Sequence, residues 1–283
     1  MCLALAMLLT LVPTNVQAAA KTQSITLYKG EEIYFTDYGN VSKVSSSNKK
    51  VVKTSIDSGN KHHANLTAKA TGTSTVTVKT SYGTTKLKVT VKKLDFTVKL
   101  ANISGGNVIF TIKNNTAQTF DQIEFTYTLK DEAGDVIVQD TERVYDCLAK
   151  KTAYRSVYVG TSKAELLDAS ACSAKVTAVE HSPNYTYKDV SSKVTATVKD
   201  EEETDSQVSF KLTTKNSTSQ SVSGYDYILI YDAQDQLIDV DRVSLYLSKK
   251  ATDTSSTKTI YKNLCPDYDH YEIVTQAYYR KSK

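Results

Sequence analysis

The sequence predicts an all-β protein built as three tandem β-sandwich domains after a cleaved signal peptide. Three observations lead there. Apolar and polar residues alternate at period two over long stretches, as in Ile123, Phe125, Tyr127 and Leu129 or in Leu87, Val89 and Val91; this is the mark of half-buried strands. Turn-forming text interrupts the alternation at short intervals, for example Ser58-Gly59-Asn60, Ser104-Gly105-Gly106 and Ala133-Gly134, as in sandwiches. Finally, one stretch is written twice, once near Val108 and again near Val208. A unit of that size is a whole small domain, since solenoid repeats run about 20–50 residues.

The bulk composition agrees. At 283 residues the chain has room for two or three domains. Its 40% hydrophobic content is enough for packed cores. Tyr is frequent at 19 residues, while Pro is scarce at 3 and Trp is absent; aromatic and β-branched enrichment favours strands. The net charge of +4 is balanced and excludes an ordinary nucleic-acid binder.

The chain opens with an uncharged apolar run, Cys2 to Val12, followed by Pro13 and then Val16-Gln17-Ala18. The small residues Val16 and Ala18 suit signal-peptidase cleavage after Ala18, so residues 1–18 read as a signal peptide. The run is too short to span a bilayer, which takes about 20 apolar residues. No second such run follows, so no transmembrane segment is expected and the product reads as secreted or associated with the cell surface. Three cysteines remain beyond the leader. Cys147 and Cys172 fall in one module, where a disulfide or two buried thiols are both open readings.

Residues 19–93 form the first module. Ser46, Ser47, Asn48 and Val51 precede a small-residue turn containing Ala70, Gly72 and Thr73, and then Val76 and Val78. Gly72 suits a corner where a side chain would clash. These residues resemble the bacterial immunoglobulin-like domains of the second group, and that resemblance implies an Ig-like sandwich.

Residues 94–183 and 184–283 form the second and third modules. Their text pairs Phe110 with Phe210, Asn114 with Asn216, Leu129 with Ile230, Val144 with Val243 and Leu148 with Leu247. Lys150-Lys151 falls opposite Lys249-Lys250. The paired apolar residues are expected at equivalent buried sites. Asp131 and Asp232 follow the central strand text and are expected to open a turn by accepting from backbone N–H groups. The segments Tyr127 to Asp131 and Ile228 to Asp232 resemble the Phe-x-Leu-Tyr-Asp pattern of the FxLYD family. This implies a β domain of bacterial exported proteins. Between strands, Ser162 to Ala169 reads as a short helix that Ser162 caps and Glu165 closes.

Catalytic chemistry is hard to find. The four histidines, His62, His63, His181 and His270, stand in no recognisable nucleophile or zinc pattern. The acidic run Asp200 to Asp205 lacks the alternating oxygen ligands of a calcium loop and reads as a solvated hairpin. No cofactor and no metal is implied. The suggestive excess is Tyr in the third module. Tyr268, Tyr271, Tyr278 and Tyr279 are the candidate ligand-binding residues, because an exposed Tyr ring brings contact area with a polar tip. The expectation is a non-enzymatic exported protein for adhesion, recognition or spacing, whose partner is an extracellular protein or glycan. The alternative is a carbohydrate-binding protein using the Tyr-rich third module.

Overall fold

The computed structural model describes residues 21–36, 39–182 and 185–282. The leader and its cleavage site lie outside the described residues, and so does the junction at residues 183 and 184. The described chain folds as three successive β-sandwiches. No helix among these residues is long and apolar enough to cross a membrane.

In the first sandwich, β1 (Lys21–Tyr28), β7 (Gly83–Lys92), β6 (Gly72–Thr80) and β3 (Val41–Ser46) form one sheet in that order. It packs on a sheet ordered β2 (Glu32–Thr36), β5 (His63–Ala68), β4 (Val52–Ile56). Alternation works as the sequence implied: Leu87, Val89 and Val91 of β7 are buried with Val76 and Val78 of β6. Gly72 holds a φ of 139°, and a Cβ there would come within 3.2 Å of Val51. The corner therefore has little room for a side chain.

The second sandwich pairs a sheet ordered β11 (Val136–Cys147), β10 (Phe120–Lys130), β13 (Ser173–Glu180) with one ordered β12 (Thr152–Tyr158), β9 (Asn107–Asn114), β8 (Phe96–Ser104). Its single core centres on Phe110, Phe125 and Tyr127, whose rings meet at 5.2–6.1 Å. Between β12 and β13 lies α1 (Thr161–Ala164), a single turn. Gly160 occupies its N-cap without any side-chain hydrogen bond, and Glu165 is its C-cap. The capping box expected from Ser162 does not form, because the helix starts at Thr161 and its N-cap falls at Gly160, two residues before Ser162.

The third sandwich repeats this plan and extends it. One sheet is ordered β14 (Tyr185–Asp189), β21 (His270–Ser282), β17 (Val222–Tyr231), β18 (Leu237–Leu247). The other is ordered β15 (Val194–Glu203), β16 (Gln207–Asn216), β19 (Thr252–Thr254), and β20 (Lys258–Tyr261) also pairs with β16. The acidic run lies at the end of β15 and in its hairpin, where Asp200 pairs with Lys211 at 3.0 Å and Glu203 with Lys262 at 2.7 Å.

The duplicated text marks a duplicated polar knot. Asn114 is buried; its Nδ2 donates to the carbonyls of Gln118, Cys147 and Leu148, and its Oδ1 accepts from the Thr116 N–H at 3.0 Å. Asn216 does the same with Gln220, Leu247, Ser248 and Thr218. Each amide satisfies loop carbonyls that would otherwise be left unpaired in the interior. Asp131 and Asp232 open their turns as expected, accepting from the N–H groups of Asp135 and Gln236 at 2.8 Å.

These anchors correct part of the pairing read from the text. The knot sets Cys147 opposite Leu247 and Leu148 opposite Ser248. Lys150 matches Lys250; both have positive φ and both donate to the carbonyl one residue beyond the knot asparagine. Counting back from the asparagines, Phe110 corresponds to Leu212 and Phe210 to Val108. Counting from the aspartates, Val144 corresponds to Leu245. All of these apolar residues are buried, but Val243 is only half-buried. Leu129 and Ile230, both buried, do occupy equivalent places beside the bulge of each hairpin.

Candidate functional site

The four candidate tyrosines do not share an exposed face. Tyr271 stacks on Phe210 at 4.5 Å with the rings nearly parallel, and Tyr268 packs against the same core. On β21, Tyr278 and Tyr279 point to opposite sides, as strand geometry requires. Tyr279 packs on a second core of the third sandwich, beside Ala277. Tyr278 turns outward from that core, yet it is only 2% exposed because the second sandwich covers it. This corrects the ligand-binding expectation for Tyr268, Tyr271, Tyr278 and Tyr279. Three of the rings fill or border cores, and the fourth fills a junction.

That junction gathers side chains from both sandwiches. The Tyr278 hydroxyl donates to Asp146 at 2.6 Å, and the Tyr187 hydroxyl donates to Asp121. Arg280 reaches Asp121 at 3.0 Å and lies over both rings, 5.5 Å from Tyr187 and 5.9 Å from Tyr278. Gln276 donates to the carbonyl of Thr152 at 2.6 Å, and Tyr154 meets Tyr227 edge-on at 5.3 Å. Burial pushes the Tyr278 hydroxyl well above its usual range, and the adjoining Asp146 carboxylate pushes it further. Burial likewise raises Asp146, partly offset by the Tyr278 hydrogen bond. Asp146 has a φ of 55°, a left-handed conformation that Asp tolerates better than most residues.

The junction between the first and second sandwiches is built differently. Tyr28, at the end of β1, inserts into the core of the second sandwich and meets Phe120 edge-on at 5.1 Å. Beneath it, Glu31 is fully buried. One carboxylate oxygen accepts from the Tyr28 N–H at 2.9 Å; the other meets the His181 ring and its backbone N–H. The His181 ring in turn stands edge-on to Phe120. Glu31 and His181 are 150 residues apart in the chain, so nothing local in the sequence announces the pair.

Beside the second junction, a cleft of about 540 Å³ is lined by Arg143, Arg155 and Arg242 with Tyr145. Arg143 is held by Glu124 at 2.8 Å, Arg155 by Glu142 at 2.6 Å, and Arg242 lies over the Tyr225 ring. The more exposed tyrosines are scattered: Tyr34 on β2, Tyr82 in a turn, Tyr158 on β12 and Tyr246 on β18.

The three cysteines among the described residues, Cys147, Cys172 and Cys265, are free thiols. Cys147 stands opposite Phe120 at one end of β10, whereas Cys172 contacts the backbone of Lys130 at the other. Ten residues of strand separate those ends, roughly 33 Å, against the roughly 7 Å limit between bridged Cα atoms. The disulfide reading is therefore corrected to two separate thiols. Burial pushes the Cys147 thiol up to about 12, so it stays protonated and unreactive at neutral pH. Among the described residues no cluster of His, Cys, Asp or Glu could hold a metal ion.

No protein family matches the chain, and no curated protein matches it. Similar solved structures include a tetra-tandem repeat in the extending region of a large adhesion protein. It is 14% identical over 86% of this chain and 66% of that one, with a TM-score of 0.22. A tandem from titin is 11% identical over 83% of this chain and 95% of that one, with a TM-score of 0.20. Red sea bream transglutaminase is 11% identical over 74% of this chain and 36% of that one, also with a TM-score of 0.20. The chain spans less than two thirds of the adhesion-protein and transglutaminase structures.

Proposed function

We propose that this chain is a non-enzymatic, exported three-domain element of fixed geometry that spaces or presents a recognition surface at or outside the cell. The observation that carries the reading is the construction of the two junctions. Each buries an aromatic ring from one sandwich against its neighbour, Tyr28 at the first and Tyr278 at the second. Each also buries polar side chains that pair across the boundary. Flexibly strung domains have no need of such contacts, because relative motion is their default. Fixed junctions convert three small sandwiches into one element with a defined reach.

Export is supported by the leader-like text before residue 19 and by the resemblance of the modules to bacterial Ig-like and FxLYD domains. Two of the three described thiols, Cys147 and Cys265, are buried and so kept from an oxidising exterior. Labelling intact cells with a membrane-impermeant amine reagent tests this placement. The exposed lysines should be labelled, and the mature chain should begin at Ala19. A chain that stays unlabelled inside the cell with residues 1–18 intact contradicts the proposal.

A further inference from the structure

The near-neutral charge of the whole chain conceals a division. Residues 21–93 contain 13 Lys, no Arg and 4 acidic residues, a net charge of +9. Residues 94–283 contain 22 basic and 27 acidic residues, a net charge of −5. The structure concentrates the positive part further. On the sheet formed by β1, β7, β6 and β3, the inward positions are apolar or small apart from Lys21 and Gln23 at the start of β1. The outward positions carry Lys43, Lys79, Lys86, Lys88 and Lys92, all exposed. Between them, in register, stand hydroxyls: Thr22, Ser24 and Thr26 on β1, and Thr73, Thr75 and Thr77 on β6. Lys79 pairs in register with Lys43, and Lys86 with both Thr22 and Thr77. No acidic side chain occupies an outward position of these four strands. None of the five lysines forms an ion pair among the described residues.

We propose that this face binds an anionic glycan polymer, one that carries carboxylate or phosphate groups on a polyhydroxylated chain. The proposal deepens the reading above and rests on it only for the extracellular placement of the polymer. Lysines supply mobile point charges that match repeated anions without demanding one geometry. The intervening Ser and Thr hydroxyls both donate and accept, which suits a chain rich in hydroxyls. A shallow depression of about 420 Å³ on this face is lined by Ser24, Ser47, Thr75, Lys88 and Thr90.

Other anionic partners fit less well. A bilayer surface favours apolar side chains beside the basic ones; of the exposed large apolar residues of this sandwich, Tyr34 and Ile56 lie on the opposite sheet and Tyr82 stands alone in the β6–β7 turn at this sheet's end. Single-stranded nucleic acid calls for stacking rings, and none projects here. A second copy of the chain offers its densest exposed acid in the hairpin Asp200 to Asp205, a narrow tip rather than a sheet face, where Asp200 and Glu203 already pair with Lys211 and Lys262. Many of its carboxylates are already engaged, including Glu124, Glu142, Asp121, Glu203 and Asp241.

Binding of the full chain to immobilised polygalacturonate and to poly(glycerol phosphate) tests the proposal, with neutral dextran, phosphatidylglycerol vesicles and the free chain in solution as comparisons. Binding to one or both anionic polymers is expected; which one it is identifies the anion. It should weaken at least about tenfold between about 50 and 200 mM salt, because each lysine contact releases counterions. The exposed triple variant K86Q/K88Q/K92Q should lose about tenfold and show a shallower salt dependence. The matched variant K99Q/K113Q/K163Q, exposed on the second sandwich, should bind as the native chain does, and unchanged thermal melting confirms that both variants fold. Equal binding to dextran, equal loss in the two variants, capture by the vesicles alone, or a salt-sensitive dimer without polymer binding each overturns the proposal. None of these outcomes bears on whether the junctions are rigid.

Discussion

The second and third sandwiches share a plan but solve the core problem differently. In the second, Ile112 of β9, Phe125 of β10 and Val176 of β13 meet in one continuous apolar core. The places that correspond in the third hold Thr214, Asp226 and Thr275. Asp226 is fully buried and accepts from both hydroxyls at 2.5 Å. Apolar packing is consequently divided into two clusters, one around Phe210 and Ile228 and another around Val222, Leu245 and Ala277. The same topology therefore tolerates a buried carboxylate where its neighbour has a phenyl ring, provided every oxygen is satisfied.

The largest difference between the copies should appear at Gly224, whose counterpart in register is Ile123. A Cβ at Gly224 would lie 1.9 Å from the Gln276 carbonyl oxygen, and the residue has a φ of 151°. Gly224→Ala should destabilise the third sandwich by more than about 3 kcal/mol, whereas Ile123→Val should cost about 0.5–1.5 kcal/mol. Chemical denaturation of each variant checks this. Similar costs at the two positions would break the comparison.

Next comes Asp226. Its replacement by Ala strands the buried Thr214 hydroxyl and the half-buried Thr275 one and opens a cavity, at a cost of about 3 kcal/mol. Burial raises the folded-state pKa of Asp226, and the hydrogen bonds of Thr214 and Thr275 offset that only in part. The folded chain therefore holds this proton more tightly than the unfolded one. The associated stability is full below the ordinary carboxylate range and declines as pH rises through the raised value. Melting of native protein and of Asp226→Asn across the acid range to neutrality should show the variant gaining on the native chain as pH rises. Parallel curves would mean that the carboxylate is not penalised by burial.

A smaller effect is expected at the junction. Tyr278→Phe removes the hydrogen bond to Asp146 and leaves a partly buried carboxylate short of a donor, costing about 1–3 kcal/mol. Tyr279→Phe, whose ring packs on the second apolar cluster, should cost less than about 0.5 kcal/mol. If the two variants melt alike, Tyr278 does not link the sandwiches as described.

The sequence made the strands, their alternation and the duplication legible, because those signals are local. Pairing within the duplication was harder. The runs Leu148-Ala149-Lys150-Lys151 and Leu247-Ser248-Lys249-Lys250 look aligned as text, yet the buried asparagines shift them by one residue. Side-chain text on an exposed turn is weakly constrained, whereas an amide that satisfies three carbonyls is not. The tyrosines misled for a related reason. Strand propensity places Tyr on either face, and whether a ring meets water or a neighbouring sandwich depends on long-range packing. Glu31 and His181 carry no local signal at all. The cationic face was present in the composition, but averaging over the whole chain cancelled it.

Small-angle X-ray scattering of the mature chain, beside a variant carrying Tyr28→Ala and Glu31→Ala, tests the account of fixed junctions most directly. Tyr28 and Glu31 are the side chains that the first sandwich buries against the second. The native profile should fit a single fixed arrangement of three sandwiches, and the double variant should require a spread of orientations about the first junction while each sandwich stays folded. A native profile that itself requires such a spread would contradict the account.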